Sequence, residues 1–571
     1  MAQAPYPSLP VLKTEAYTVN AYTLPTIDRA FLSYKRAEAI ALSYGLTISD
    51  VLMFTPKFWR LHQDPIAVRD MGAVTHVTIQ YNLCAGTIAG HVANRPELVV
   101  LCQDLMKWKK YGLYLLTEVG HGIDFANLET TATLLPDGDF VLHSPTPSAY
   151  KHMPSTVPAG KPTVACVIAR LIVDGEDRGI RAFVVALNDG KQMCDGIVAR
   201  RLPERGGAHP VNHSVTSFNN VRLPSTALLG DLEMPENMQE HTFTVTWRLA
   251  IGALALGCFA VPAMELCAAI STKYSIRRLV GPPGQQRPIM QFRTQQIPIL
   301  TTTAQAAVLK AFAKQTIGVL RNMDIDFGLR YSLAIITKAV LMKYSLTSAR
   351  QISERCGAQG LFEHNQISVI SGGLLGAAIA EGDVLTISIL LATELSKGTY
   401  TLPPAQDPSS LLAKYEAGML KDWQALMATI PGGDMTGDPE LVNRNVLPRC
   451  LPLVESLGYR MAYEAALAEK LPSYIIDLFV ANVVKGEPTW FIENLKMTRN
   501  EIYEMEAKAL DAMLPHQIEW IDSLKLDPYI TAPMISEDRW QEFLGTLPHY
   551  SGTGKVEWGG EFNEGKVQGK L

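Results

Sequence analysis

The hydrophobic period changes twice along this chain, and that limits the architectures open to it. Up to about residue 110, apolar side chains recur at helical spacing. Asp28–Leu46 carries Phe31, Leu32, Ile40 and Ala41 on one face. Pro96 stands like a proline at the first helical position, ahead of Leu98, Val99, Leu101, Cys102, Leu105 and Met106, with Gly112 as the expected stop. From Leu113 to Leu229, short β-prone runs alternate with turns. Pro136-Asp137-Gly138 separates Thr130–Leu135 from Phe140–His143, and Asp174–Asp177 joins Thr163–Val173 to Ile180–Leu187. Val215–Val221 reads as a further strand. The spacing predicts a barrel or sandwich of roughly 100–120 residues.

Helical signals return after Met234, over Thr242–Tyr274, Phe292–Met323, Tyr331–Cys356 and Asp383–Ser396. Pro403-Pro404 marks a linker. A second helical block follows, with Tyr459–Leu471, Tyr474–Val484 and Thr498–Leu514, the last opened by a Thr498/Glu501 capping box. The expected class is α+β, mostly α: an N-terminal helical domain (1–111), a β-domain (112–233), a helical bundle (234–402), a C-terminal helical domain (403–550) and a frayed tail from Ser551. Leu249–Ile270 is long and apolar enough to suggest a membrane span, but Pro262 and Glu265 inside it favour a buried bundle helix.

The 571 residues carry a formal net charge of −5, which gives no electrostatic reason to expect nucleic acid. Eight cysteines stand singly, with no Cys-x-x-Cys pair, so free thiols in a reducing compartment are expected. No secretory signal is evident in Met1–Val19. Neither a Gly-x-Gly-x-x-Gly turn after a strand nor a phosphate-loop motif is found. His209 and His213 lie in a proline-interrupted loop where no helix fixes their spacing, so they are read as surface residues and no metal site is expected.

One stretch carries chemistry. Thr117-Glu118-Val119-Gly120-His121-Gly122 leads into Leu128-Glu129-Thr130-Thr131-Ala132-Thr133. Alone, the first part is a tight turn. Together the two resemble the flavin-binding segment of the acyl-CoA oxidases, a branch of the acyl-CoA dehydrogenase superfamily. The helical, β, helical, helical order fits the same resemblance. It implies FAD, with Thr117, Gly120 and Gly122 at the flavin side of the β-domain. It also implies that Arg278 (or Arg277) and Gln295 hold the pyrophosphate of a neighbouring subunit in a homodimer. Cys356-Gly357-Ala358-Gln359-Gly360 resembles the Cys-Gly-Gly-His-Gly of the oxidases, placing Gly357 and Gly360 near FAD. Glu381 before Gly382 occupies the place of the family's proton-abstracting glutamate, and Asp383 reads as the N-cap of the next helix. It is the only acid between His364 and Gly382, so a desolvated, more basic carboxylate is expected.

Three departures surround that base. Lys151-His152-Met153-Pro154-Ser155 stands where the oxidases have Lys-Trp-Trp-Pro-Gly, putting Met153 and Ser155 at the flavin. Ala380 replaces an aromatic residue of the acyl pocket, and Asp383-Val384 departs after Gly382. A roomier pocket is implied, for a branched, cyclic or polyketide-like acyl thioester on CoA or a carrier protein, with O₂ as electron acceptor. The other readings are a dehydrogenase with an electron-transfer partner, a flavin monooxygenase, and a dimeric scaffold without activity. The terminal Gly569-Lys570-Leu571 resembles a peroxisomal Ser-Lys-Leu address; a cytoplasmic location is nearly as well supported.

Overall fold

The computed structural model describes residues 5–554, apart from 123, 400 and 434. The tail from 555 and the terminal Gly569–Leu571 lie outside the described residues.

The N-terminal block contains α1 (Thr26–Tyr44), α2 (Met71–Thr78) and α3 (Leu98–Met106); α2 runs on into a π-helical turn, Ile79–Ala85. Gly112 is not a helix stop. It lies inside strand β1 (Tyr111–Leu115), where a Cβ would come within 2.9 Å of Cys84 Sγ and Leu105. Close packing of strand on helix, not turn geometry, demands that glycine.

The β-domain forms a seven-stranded mixed sheet and a three-stranded sheet. Strands β2 (Thr131–Leu134) and β3 (Phe140–His143) flank the expected turn. Two-residue β4 (Lys151–His152) is followed by the long pair β5 (Thr163–Val173) and β6 (Glu176–Asn188), which are antiparallel. Their turn places Asp174 and Gly175 at φ 53° and 82°, as a tight hairpin of matching twist requires. Both β1 and β2 pair with β5 in parallel, so the sheet curls around that strand. After β7 (Ile197–Arg201), the predicted strand Val215–Val221 is two pieces, β8 (Ser214–Phe218), which pairs with β7, and β9 (Val221–Leu223), which pairs with β3. The domain has its own core around Phe140, Phe183 and Leu171.

The bundle is built from α4 (Met238–Thr246), α5 (Arg248–Cys258), α6 (Ala260–Arg277), α7 (Arg293–Arg321) and α8 (Phe327–Arg355). The most apolar 18-residue window of Arg248–Arg277 is wholly buried, and Glu265 is satisfied by Lys310 Nζ at 2.9 Å. That explains the membrane-length run as a core helix pair. Helix α9 (Ile367–Ile379) was not anticipated: Gly372, Gly373 and Gly376 lower its propensity, and burial against α8 compensates. Helix α10 (Val384–Ser396) starts where Asp383 accepts from the Leu385 and Thr386 amides. The last block holds α11 (Leu411–Met427), α12 (Leu447–Ala468), α13 (Ser473–Gly486) and α14 (Arg499–Met513), with the Thr498/Glu501 capping box formed in both directions. All eight cysteines are free thiols.

Candidate active site

Glu381 stands in the link between α9 and α10, at φ 54°. A non-glycine residue in the left-handed region is held there by its surroundings. The hold comes from Lys338, fully buried on α8, whose Nζ donates to the carbonyls of Ala380 (2.6 Å) and Gly382 (2.7 Å). The Glu381 side chain turns inward onto α5. A Cβ built on Gly252 would fall on Glu381 Oε2 and lie 2.9 Å from Asn82 Nδ2. Oε2 is sealed from solvent and has no hydrogen-bond partner. Burial pushes this carboxyl well above the usual carboxylate range, and the Lys338 charge pulls it part of the way back.

A cavity of about 170 Å³ opens beside it, walled by Thr78 and Ile79 of the N-terminal block, Tyr114 of β1, Met153, and Ala380. Thr78 Oγ1, Asn82 Oδ1 and Tyr114 OH are also buried without partners. His209 and His213 are not surface residues: both line this cavity. His209 is buried, and His213 Nδ1 bonds the Met153 carbonyl at 2.8 Å; burial holds both below the ordinary histidine range. The loop carrying them is fixed by β7 and β8 rather than by helical spacing. No group of metal-ligating side chains occurs among the described residues. A larger cavity, about 540 Å³, is lined by Phe125, Phe243, Thr246, Trp247, Leu249 and Tyr331, among others.

The Thr117–Thr133 stretch is stitched mainly to its own domain. Glu118 and Lys151 form a fully buried ion pair at 2.9 Å. Glu118 also accepts from the amides of Glu129 (2.7 Å) and Thr130 (3.0 Å), and Thr130 Oγ1 donates to the Ala149 carbonyl. Gly120 is required by Ser148, whose Cβ would lie 2.6 Å from an added methyl group, so a protein neighbour and not a ligand occupies that approach. Gly122, at φ 54°, faces open space, and Thr117 is half-buried. Ser155 is buried, with its carbonyl accepting from Tyr34 OH at 3.4 Å.

Arg278, Gln295, Gly357 and Gly360 do not line the Glu381 cavity; they gather at the ends of α6, α7 and α8. Gln295 Nε2 donates to Ser275 Oγ (2.9 Å) and the Arg355 carbonyl (3.0 Å), so its amide hydrogens are spent tying these helix ends together. Gly360 packs on Ser353 with no room for a side chain, whereas Gly357 is exposed at φ 59° with open space around it. Arg277 is committed to the Met534 carbonyl and Glu537. The exposed Arg278 side chain makes no hydrogen bond or ion pair among the described residues.

No family model matches the chain. An acyl-coenzyme A oxidase of Caenorhabditis elegans is 27% identical over 320 residues, covering 52% of this chain and 48% of that protein. The chain spans about half the length of the curated relatives it matches. A solved acyl-CoA oxidase of Yarrowia lipolytica aligns with a TM-score of 0.78 at 18% identity, covering 94% of this chain and 87% of its own. The chain is thus similar in sequence to acyl-CoA oxidases over about half of its length and shares their fold over nearly all of it. A further structure, a Caenorhabditis elegans acyl-CoA oxidase bound with FAD, ascaroside-CoA and ATP, gives a TM-score of 0.67 at 17% identity over 91% of this chain and 92% of its own.

The residues around Glu381 missed by sequence reasoning are Lys338, Gly252, Asn82, Thr78 and Tyr114. Only Lys338 left a signal, as the one charge in the run Leu333–Met342, otherwise apolar except for Thr337. The others meet Glu381 only through folding.

Proposed function

We propose that the protein is an FAD-dependent oxidase that introduces an α,β double bond into an acyl-CoA thioester, with Glu381 removing the α-proton. The sealed, unpartnered Oε2 of Glu381 at the cavity wall carries this reading. A carboxylate with an oxygen shielded from water and hydrogen-bond donors is a stronger base than one in solution, and an α-proton beside a thioester needs such a base.

The residues present fit the cofactor. Unpartnered buried oxygens of Thr78, Asn82 and Tyr114 surround the base and call for a polar ligand. Thr117, Gly122, Met153 and Ser155 would border the flavin from the β-domain side. Arg278 and the open turn at Gly357 would meet the pyrophosphate of the second subunit's cofactor, with Gln295 bracing the helix ends beneath them. FAD held there would accept the hydride from the β-carbon and pass its electrons to O₂. Homodimerisation is supported by the exposed apolar side chains Leu375, Ile379, Leu385 and Leu390 on α9 and α10, with Leu361 and Phe362 ahead of α9.

The acyl group in this reading is bulky. Ala380 and Met153 put no aromatic ring at their own positions on the cavity wall. Glu381→Gln should stay yellow yet lose anaerobic bleaching by hexanoyl-CoA and 3-phenylpropanoyl-CoA by about 10²- to 10⁴-fold. Undiminished bleaching sinks the assignment. Faster turnover of hexanoyl-CoA than of the phenyl substrate overturns the bulky acyl group.

A further inference from the structure

We propose that Lys338 is the positioning residue of the base: its ammonium clamps the carbonyls on either side of Glu381, fixing the left-handed turn that aims the carboxylate at the cavity. The inference rests on Glu381 as the base and adds what makes it one.

The geometry is specific. Lys338 belongs to α8, while Ala380 and Gly382 flank Glu381 in the link between α9 and α10. One ammonium therefore bridges residues 42 and 44 positions away, at 2.6 and 2.7 Å. Both carbonyls point at the same donor only while Glu381 keeps φ 54°. That conformation is unfavourable for a non-glycine residue, and two charge-assisted hydrogen bonds offset it. Lys338 forms no ion pair with the carboxylate, so Oε2 stays free to accept a proton.

A buried ammonium needs an anion nearby. The charged and titratable groups around Glu381 are Lys338 on α8, Tyr114 on β1, Asp383 beside it in the chain, and Arg205, His209 and His213 across the cavity. Burial depresses Lys338 and raises Glu381, and each charge favours the ionised form of the other. When Glu381 takes a proton, Lys338 loses its nearest counter-charge, so the lysine opposes premature protonation and hastens return to the carboxylate.

The test pairs Lys338→Met with Lys338→Arg. In the protein without substrate, infrared difference spectra against matching Glu381→Gln variants report the Glu381 carboxyl. Lys338→Met should show it protonated to a pH at least about one unit higher than wild type, a tenfold change in ionised fraction at fixed pH. Lys338→Arg, which keeps charge and donors, should titrate close to wild type. With hexanoyl-CoA or 3-phenylpropanoyl-CoA, the acid limb of flavin bleaching should move by the same amount. An unmoved carboxyl titration in folded Lys338→Met overturns the proposal, and so does an Arg variant that behaves like Met. If Lys338→Met does not fold, the Arg variant and Lys338→Gln carry the same comparison. Should Glu381→Gln itself keep full bleaching, the base assignment falls, while the infrared titration still reports the lysine's hold on that carboxyl.

Discussion

Gly252→Ala adds one methyl group at the place the Glu381 carboxylate now occupies. Helix α5 gains from the change, since alanine is favoured over glycine in a helix interior by about 0.8–1 kcal/mol. The displaced atom is the far end of a flexible side chain, and Asn82 Nδ2, 2.9 Å from the new Cβ, must give by a few tenths of an ångström. Global stability should therefore change by no more than about 1 kcal/mol in either direction. Proton abstraction should suffer far more. A base swung out of its place forfeits the about 10²- to 10⁴-fold that general base catalysis supplies, equivalent to about 2.7–5.4 kcal/mol in the barrier. Urea melts measure the first quantity, and anaerobic flavin bleaching with hexanoyl-CoA and 3-phenylpropanoyl-CoA measures the second. A variant as stable as wild type that bleaches at the wild-type rate would refute the inward position of Glu381. Loss of several kcal/mol would refute the argument that the side chain yields cheaply.

Lys151→Met leaves Glu118 buried and unpaired, and should cost about 3–5 kcal/mol in urea melts; a double variant with Glu118→Leu should recover much of that. Arg278→Ala should weaken flavin retention with little change in melting. Arg277→Ala, which cuts the tie to Met534 and Glu537, should do the reverse. Burial depresses His62 to about 4 and His76 to about 3 from an ordinary 6.5. The unfolded chain thus binds protons first, so their contribution is present above pH 6.5 and fades as pH falls toward those values. Between pH 6.5 and 5 the loss should reach about 2 kcal/mol for each histidine, and a His62→Gln/His76→Gln variant should flatten the urea-midpoint profile.

The sequence by itself determined the order of the fold and several of its joints. Period and turn chemistry act within a few residues, so the Asp174–Gly175 hairpin, the Asp383 N-cap and the Thr498/Glu501 box were legible from neighbours alone. The family resemblance also pointed to Glu381, by its place before Gly382 and after the Cys356–Gly360 patch. Only the tertiary structure decided what that acid touches. Lys338 reaches it from a different helix, Gly252 vacates the space it fills, and Tyr114 and Asn82 arrive from the β-domain and the N-terminal block. The same limit explains Gly120 and Gln295: a motif shows which residue stands at a position, but the group beside it, Ser148 or Arg355, is set by packing between segments distant in sequence. Such contacts are fixed by the burial of whole faces against one another, and no local pattern encodes that.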